Sequence, residues 1–172
     1  MIDSADILNA KVLIVDDHEP NVLLLEEMLR EAGYARVAST MDPRAVLELH
    51  RSERYDLILL DLQMPGMDGF EVMEGLKALE TDGYLPVLVI TAQPAHKLQA
   101  LQAGARDFVS KPFDVLEVKT RIHNMLEVRL LYKALEQTVE KRTAELRESE
   151  ARFHALREMA EFCAQIRRTS RS

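Results

Sequence analysis

Residues 57–69 read Leu57-Ile58-Leu59-Leu60-Asp61-Leu62-Gln63-Met64-Pro65-Gly66-Met67-Asp68-Gly69. The first four residues form an unbroken apolar run, which is typical of a parallel strand buried on both faces of a sheet. This run ends at a carboxylate, Asp61, and the pairs Pro65-Gly66 and Asp68-Gly69 then favour a tight loop. We therefore predict a buried strand, an acidic residue at its carboxyl end, and a helix over 69–79.

The same strand-then-helix pattern recurs on both sides of this stretch. Two more apolar runs of this kind and two weaker ones are Lys11-Val12-Leu13-Ile14-Val15, Val87-Leu88-Val89-Ile90, Arg36-Val37-Ala38 and Asp107-Phe108-Val109. Helical patterns lie between them, at roughly 19–32, 43–50, 69–79 and 95–103. Five strands alternating with helices predict an α/β fold, with a doubly wound, five-stranded parallel sheet covered on both faces.

Polar residues follow these strands at the points where functional groups are expected. In doubly wound sheets the functional crevice lies at the carboxyl ends of the strands. Asp16, Asp17, Asp61, Thr91 and Lys111 all stand there. Three carboxylates held together repel one another unless a cation joins them, and Mg²⁺ prefers such oxygen ligands. An acidic metal site with a hydroxyl and an ammonium group beside it is suited to phosphoryl transfer.

These pieces together resemble the receiver domain of response regulators, over roughly residues 10 to 127. The matching features are Asp16-Asp17, Leu60 to Gly69, Thr91-Ala92 and Lys111-Pro112-Phe113. Their order and spacing match as well, at about 45, 30 and 20 residues between successive features. The resemblance implies a flavodoxin-like receiver fold with strand order 2-1-3-4-5. It also implies a division into an N-terminal tail (1–9), a receiver domain (10–127) and a C-terminal helical coiled-coil extension (128–172).

The resemblance assigns the acidic residues position by position. It implies that Asp61 accepts the phosphoryl group and also binds the metal. Asp17 is the expected direct carboxylate ligand of Mg²⁺, and Asp16 a neighbouring ligand acting through water. Gln63 is expected to offer its backbone carbonyl to the metal, so the identity of its side chain matters little there.

The remaining site residues receive their roles from the same resemblance. Lys111 is expected to pair with the phosphoryl oxygens, and Thr91 to move and hydrogen-bond one of them. Phe108 occupies the place of the switch aromatic, although a plain core position is the alternative for this ring. Ala92 is small enough to leave room beside the phosphoryl group, and Pro112 is expected to follow a cis peptide bond.

The implied function is signalling, with no enzyme activity beyond phosphoryl transfer to Asp61 and its autodephosphorylation. The implied donor is a sensor histidine kinase. One alternative is a Mg²⁺-dependent phosphohydrolase with an aspartate nucleophile, but Gln63 stands where such enzymes carry a second acid. A phosphoryl-accepting His123 and a phosphorylation-independent coiled-coil adaptor are two others. His18 either tunes the phosphoryl lifetime or is solvated, and His50, His96 and His154 are predicted to lie at the surface.

The C-terminal part has a different sequence pattern. From Val115 to Ile166 there is no glycine or proline, which favours one helix of about 50 residues. Ten of twelve heptad core positions are apolar, the exceptions being Arg142 and Ser149. The twelve are Met125, Val128, Tyr132, Leu135, Val139, Arg142, Leu146, Ser149, Phe153, Leu156, Ala160 and Cys163. This pattern predicts a two-stranded coiled coil, most simply a homodimer.

Residues 142–153 resemble the signalling helix that precedes PAS domains or cyclic-dinucleotide enzymes. A downstream output domain or partner is therefore expected. Two possibilities stay open from the sequence: an excised N-terminal fragment of a longer regulator, and a short regulator whose output is the helix itself.

Charge and composition exclude several other functions. The net charge is −7, made of −11 up to Val118 and +4 from Lys119 onward. An acidic first region, and a second without two short helices joined by a turn, argue against nucleic-acid binding. No apolar run approaches the roughly 20 residues that cross a bilayer, so we expect no membrane insertion. A single cysteine, Cys163, and an acidic N-terminus unlike a signal peptide predict a cytoplasmic protein.

Overall fold

Five parallel strands form one sheet in the order β2-β1-β3-β4-β5, which confirms the predicted fold class. The computed structural model describes residues 2–80 and 83–170. The strands are β1 (Lys11–Val15), β2 (Arg36–Thr40), β3 (Leu57–Asp61), β4 (Val87–Thr91) and β5 (Asp107–Ser110). The two weakest candidates, β2 and β5, are thus strands. Their apolar pattern is weak because they form the edges of the sheet, where less apolar surface is buried than at the centre.

In the described part of the chain, six helices accompany the sheet. They are α1 (Ser4–Leu8), α2 (Glu19–Glu31), α3 (Val46–Glu53), α4 (Gly69–Leu79), α5 (His96–Gln102) and α6 (Val115–Thr169). Before α3 the chain makes one 3₁₀ turn, Pro43–Ala45, capped by Asp42. Helix α1 lies in the segment treated as a tail at the sequence level. Its five residues are too few to show a periodic pattern, but a capping box between Asp3 and Asp6 starts it, and Ile7 is buried.

The core has two layers, one on each face of the sheet. Alternate strand residues point to opposite faces, so Ile14 packs on one side and Leu13 on the other. Helices α1, α2 and the first part of α6 cover the side of Ile14, and α3, α4 and α5 cover the side of Leu13. All five residues of β3 and of β4 are buried, which explains why both read as unbroken apolar runs.

The chain divides into two compact units, Met1–Tyr132 and Lys133–Ser172. The first unit contains the sheet and its helices. The second contains the continuation of α6, whose described apolar side chains are exposed in the single chain, among them Leu135, Leu146 and Phe153. No helix within residues 2–80 and 83–170 combines the length and apolarity needed to span a bilayer.

The surface position predicted for His50 is wrong. His50 is only 1% exposed. It lies one helical turn after the buried Val46 on α3, so both side chains face the core. Its Nδ1 accepts a hydrogen bond from the Tyr55 N–H at 3.2 Å, and its Nε2 lies 2.8 Å from Oε1 of Glu80. Hydrogen bonds on both ring nitrogens make this burial tolerable.

Candidate functional site

The carboxyl edge of the sheet brings together the polar residues that follow four neighbouring strands. Asp16 comes directly after β1, and Asp61 and Thr91 are the last residues of β3 and β4. Lys111 comes directly after β5. Because β1, β3, β4 and β5 are consecutive in the sheet, their ends form one continuous edge. The chain thus collects residues up to 95 positions apart in sequence into one crevice.

Three carboxylates form the acidic part of this crevice. Asp16, Asp17 and Asp61 each offer one oxygen, and these oxygens lie within 4.8 Å of one another. Asp16 and Asp61 are buried, whereas Asp17 is exposed. The Lys111 ammonium lies 3.2 Å from Oδ2 of Asp16 and 3.2 Å from Oδ2 of Asp61. Three negative charges against one positive leave the cluster at −2, which together with an all-oxygen donor set fits a hard divalent cation such as Mg²⁺.

Two further groups of the chain hold Asp16. Its Oδ1 accepts the backbone N–H of His18 at 2.9 Å, and its Oδ2 accepts Nδ2 of Asn21 at 3.0 Å in addition to Lys111. Asn21 was missed at the sequence level. The available signal was its place in the first turn of α2, five residues after Asp16, where a side chain can reach back to the end of the preceding strand. Asn21 therefore orients a carboxylate of the acidic cluster.

The Asp61 carboxyl has a raised pKa. Burial raises the pKa of Asp61, and the nearby Asp16 raises it further. The Gln63 N–H, which donates to Oδ1 at 3.2 Å, and the Lys111 ammonium both lower that pKa but do not cancel the effect of burial. In the absence of a cation, the ionised form of Asp61 is thus less favourable than in water.

Gly69 allows the start of α4 to lie close to the backbone at Asp61. A Cβ at Gly69 would lie 2.8 Å from the Asp61 carbonyl oxygen and 2.8 Å from Cα of Leu62, distances too short for any side chain. The Gly69 N–H donates to the Leu62 carbonyl at 3.1 Å. Asp68 caps α4 together with Glu71 in a capping box. The sequence predicted only a tight loop here, whereas the structure shows that the start of α4 packs directly against the end of β3.

Thr91 ends β4 and Phe108 lies on the neighbouring strand β5. Thr91 is fully buried, and its Oγ1 accepts the Gln93 N–H at 3.1 Å. The Lys111 N–H donates to the Thr91 carbonyl at 2.8 Å, which ties the ends of β4 and β5 together. The Phe108 ring is half-buried, and the Lys97 ammonium lies 4.6 Å from its centroid. One side of this ring thus packs against the buried cluster on the Leu13 side of the sheet, and the ring is partly open to solvent.

Four further residues stand near the carboxyl ends of the strands. Ala92 is exposed directly after β4, and the side chain of Gln63 is exposed beyond β3. The peptide bond between Lys111 and Pro112 is cis. His18 is exposed and contributes only its backbone N–H to the site.

Comparison with known proteins identifies the family. A family model described as the response regulator receiver domain matches residues 12–123. The chain belongs to this family. It is the receiver domain of a response regulator, and the fold and family expected from the sequence are confirmed.

Two curated relatives show how much of the chain this receiver covers. The response regulator PleD of Caulobacter vibrioides is 39% identical over 132 residues, which cover 76% of this chain and 29% of PleD. The chemotaxis protein CheY of Pseudomonas aeruginosa is 33% identical over 119 residues, covering 68% of this chain and 96% of CheY. The matched receiver thus spans under a third of PleD and nearly the whole of CheY.

Solved structures agree with this assignment. A response regulator of Chloroflexus aurantiacus superimposes with a TM-score of 0.64 at 32% identity, covering 69% of this chain and 98% of that one. The receiver domain of the sensor histidine kinase PA1611 of Pseudomonas aeruginosa superimposes with a TM-score of 0.63 at 30% identity, with the same two coverages. In that protein a magnesium ion is coordinated in the active site cleft.

Proposed function

We propose that this receiver accepts a phosphoryl group on Asp61 from a sensor histidine kinase, in a Mg²⁺-dependent reaction, and passes the signal on through a dimeric C-terminal helix. The observation that carries the first part is the position of Lys111. Its ammonium contacts Asp16 and Asp61 at the same time, at 3.2 Å each. A cation beside two buried carboxylates can hold the oxygens of a transferring phosphoryl group next to the nucleophile.

The proposed step is a displacement at phosphorus. A carboxylate oxygen of Asp61 forms a bond to the phosphorus of a phosphohistidine, and the bond between phosphorus and the imidazole nitrogen breaks. The electron pair of the broken bond leaves with the imidazole, and Asp61 becomes an acyl phosphate. The Gln63 N–H at 3.2 Å from Oδ1 and the Lys111 ammonium at Oδ2 orient the carboxylate for this attack.

The proposed ligands of Mg²⁺ are the carboxylates of Asp16, Asp17 and Asp61 and the backbone carbonyl of Gln63. The −2 charge of the cluster and the magnesium ion in the related PA1611 receiver support this assignment. When bound, the ion supplies positive charge against the phosphoryl oxygens and the crowded carboxylates. Asn21 and the His18 N–H keep Asp16 oriented towards the shared position.

We propose Thr91 and Phe108 as the switch. The Thr91 hydroxyl accepts the Gln93 N–H, which leaves its own proton free to be donated to a phosphoryl oxygen at Asp61. The exposed Ala92 leaves space for that oxygen. Movement of Thr91 towards Asp61 would open room for the half-buried Phe108 ring to turn inward, away from Lys97.

The C-terminal helix is the proposed output. In residues 133–170 the heptad side chains Leu135, Val139, Leu146 and Phe153 are each more than half exposed in the single chain. An apolar stripe of this length in water favours association, and a second copy of the same helix presents the matching stripe. We propose a functional boundary near residue 127, close to the end of the first unit at Tyr132. The likeness to PleD, a longer protein, supports an output domain or partner beyond the helix.

Intact-mass spectrometry tests the phosphoacceptor. The protein is incubated with Mg²⁺ and a small acyl phosphate, in parallel with Asp61→Asn and the matched control Asp42→Asn, whose cap of the 3₁₀ turn an asparagine preserves. We expect one phosphoryl adduct on the wild type and on Asp42→Asn, none on Asp61→Asn, and none in the presence of EDTA. Absence of any adduct on the wild type with Mg²⁺ would favour a phosphorylation-independent coiled-coil adaptor instead.

Light scattering on the same samples tests the output. We expect a dimer whose mass or hydrodynamic radius changes when the adduct forms. Identical values for the phosphorylated and unphosphorylated protein would contradict signal transmission through the helix while leaving the phosphoacceptor assignment intact.

A further inference from the structure

An arginine of α6 is buried at the end of the sheet opposite to Asp61. Arg129 is 8% exposed. Its Nη1 donates to the backbone carbonyl of Tyr84, and its Nε lies 3.9 Å from Oδ1 of Asp56. Asp56 directly precedes β3, and Tyr84 stands shortly before β4. Arg129 therefore contacts the segments that lead into the two strands whose far ends are Asp61 and Thr91.

The partners of Arg129 are themselves fixed to the sheet. Asp56 is 5% exposed, and its Oδ2 accepts the Lys11 N–H at 3.0 Å while its own N–H donates to the Lys11 carbonyl at 2.7 Å. These bonds tie the beginnings of β1 and β3 together. A displacement of Arg129 would thus act on backbone that is already part of the sheet.

Aromatic contacts extend this arrangement to the end of the first unit. The Tyr84 ring has its centroid 4.4 Å from the Arg106 guanidinium carbon and 5.6 Å from the centroid of the Tyr132 ring. Tyr132 is one helical turn after Arg129 on α6. We call the set Asp56, Tyr84, Arg106, Arg129 and Tyr132 the Arg129 anchor. It holds the last turns of α6 in the first unit at two successive points.

Arg129 stands at a position of α6 where the helical spacing would favour an apolar residue. Val118, Ile122, Met125 and Leu126 are buried on the same face of α6, and Arg129 continues their helical spacing. A leucine or methionine there would extend the apolar stripe without the desolvation cost of a buried guanidinium. An arginine instead makes a directional hydrogen bond to the Tyr84 carbonyl and an ion pair with Asp56, which together favour one rotation and one axial position of the helix.

We propose that Arg129 is a positioning residue that sets the register of α6 on the sheet and couples β3 and β4 to the helix that continues beyond Tyr132. The contacts of Arg129 with Tyr84 and Asp56 support the positioning role. The coupling role rests on the proposed phosphorylation of Asp61, because in that role Arg129 transmits the effect of phosphorylation to α6.

Hydrogen exchange on the full chain tests the anchoring. The amides of residues 125–132 are followed in the wild type, Arg129→Met, Arg129→Lys and the matched control Arg121→Met, which removes an arginine of the same helix that pairs with Asp107. We expect exchange in 125–132 to be about tenfold or more faster in Arg129→Met, the effect of losing one hydrogen bond that involves a charged group. Arg129→Lys should give a smaller increase, and Arg121→Met should leave 125–132 unchanged.

The pattern across variants decides the result. Unchanged exchange in 125–132 of Arg129→Met overturns the proposal. If all amides of Arg129→Met exchange fast because the variant does not fold stably, the comparison with the wild type uses Arg129→Lys, which retains the charge. An increase in Arg129→Lys confined to 125–132 supports positioning, and a uniform increase overturns it in favour of a general contribution to stability.

The coupling is tested on the same variants with and without the acyl phosphate. We expect the phosphoryl adduct on Arg129→Lys at the wild-type rate within about twofold, since Arg129 does not touch the site. The change in exchange of 125–132 that phosphorylation causes in the wild type should be lost. A wild-type-like change in the variant overturns the coupling. An adduct missing from the wild type refutes the proposed function alone, because the anchoring is judged without phosphorylation.

Discussion

Asp61→Asn is expected to stabilise the protein without Mg²⁺ and to lose most of the stabilisation that Mg²⁺ gives the wild type. Burial and Asp16 raise the pKa of Asp61 in the folded protein, so the folded state holds this proton more tightly than the unfolded state. Stability from this group is therefore fully present at low pH and is lost as the pH rises through the folded pKa. At neutral pH, without metal, the ionised carboxylate is a cost that an asparagine removes.

The magnitudes follow from the contacts of Asp61. In EDTA the Asp61→Asn protein should be more stable by about 0.5–2 kcal/mol, the usual gain from relieving one unfavourable group. The asparagine Oδ1 can still accept the Gln63 N–H, and Lys111 keeps its contact with Asp16. At Mg²⁺ concentrations about ten times Kd, the wild type should gain about 1.4 kcal/mol. The variant, with one of three carboxylates gone, should gain under about 0.5 kcal/mol.

Urea denaturation at neutral pH measures both effects. Tyrosine fluorescence is a suitable probe, because Tyr34 and Tyr55 are buried in the first unit and the chain has no tryptophan. Asp42→Asn serves as the control and should match the wild type in EDTA and in Mg²⁺. The reasoning is refuted if Asp61→Asn is the less stable protein in EDTA, or if Mg²⁺ stabilises the wild type and the variant equally.

Three further substitutions test separate parts of the structure. Gly69→Ala should lower the free energy of unfolding by about 2–4 kcal/mol, because its Cβ would lie 2.8 Å from backbone atoms of the preceding strand. Gly75→Ala, whose Cβ meets only the end of a leucine side chain, should stay within about 1 kcal/mol of the wild type in the same urea titration. Lys111→Met removes the ammonium that contacts two buried carboxylates, and should slow formation of the phosphoryl adduct about 100-fold by mass spectrometry. Normal adduct formation would show that Lys111 is only structural. Leu146→Asp should make the protein monomeric in light scattering, because it places a charge in the heptad core, whereas Ala151→Asp on the opposite face of the helix should stay dimeric. Two dimeric variants would exclude this seam as the interface.

Much of the fold followed from local patterns. The runs 11–15, 57–60 and 87–90 are apolar at every position except Lys11 because both faces of a central parallel strand are covered. Once the strands are known, the rule that binding sites lie at the carboxyl ends of parallel strands identifies the candidate site residues from sequence alone. In the structure the Lys111 ammonium contacts both Asp16 and Asp61. The pairing of α6 into a coiled coil and the individual roles of the site residues stay predictions.

Other features could not be read from the sequence. Gly69 looked like an ordinary turn residue, yet it is required because α4 starts within 2.8 Å of the β3 backbone. His50 looked like a surface histidine, and Asn21 carried no motif. Helix α1 was too short to produce a period. For Gly69, His50 and Asn21 the deciding quantity is a distance to a group elsewhere in the chain, and residue order gives no measure of it.

By itself, the sequence determined the five strands, the helices between them, and the family, and it predicted the carboxylates of the acidic crevice. These depend on periodicity and on positions at strand ends, which are properties of short segments. Only the tertiary structure decided that Arg129 is buried against Asp56 and Tyr84, each more than 40 residues away, and not exposed like the described arginines of the helix beyond Tyr132. The physical reason is that a helix pattern fixes which side chains share a face, while the packing of that face against the sheet fixes what they meet.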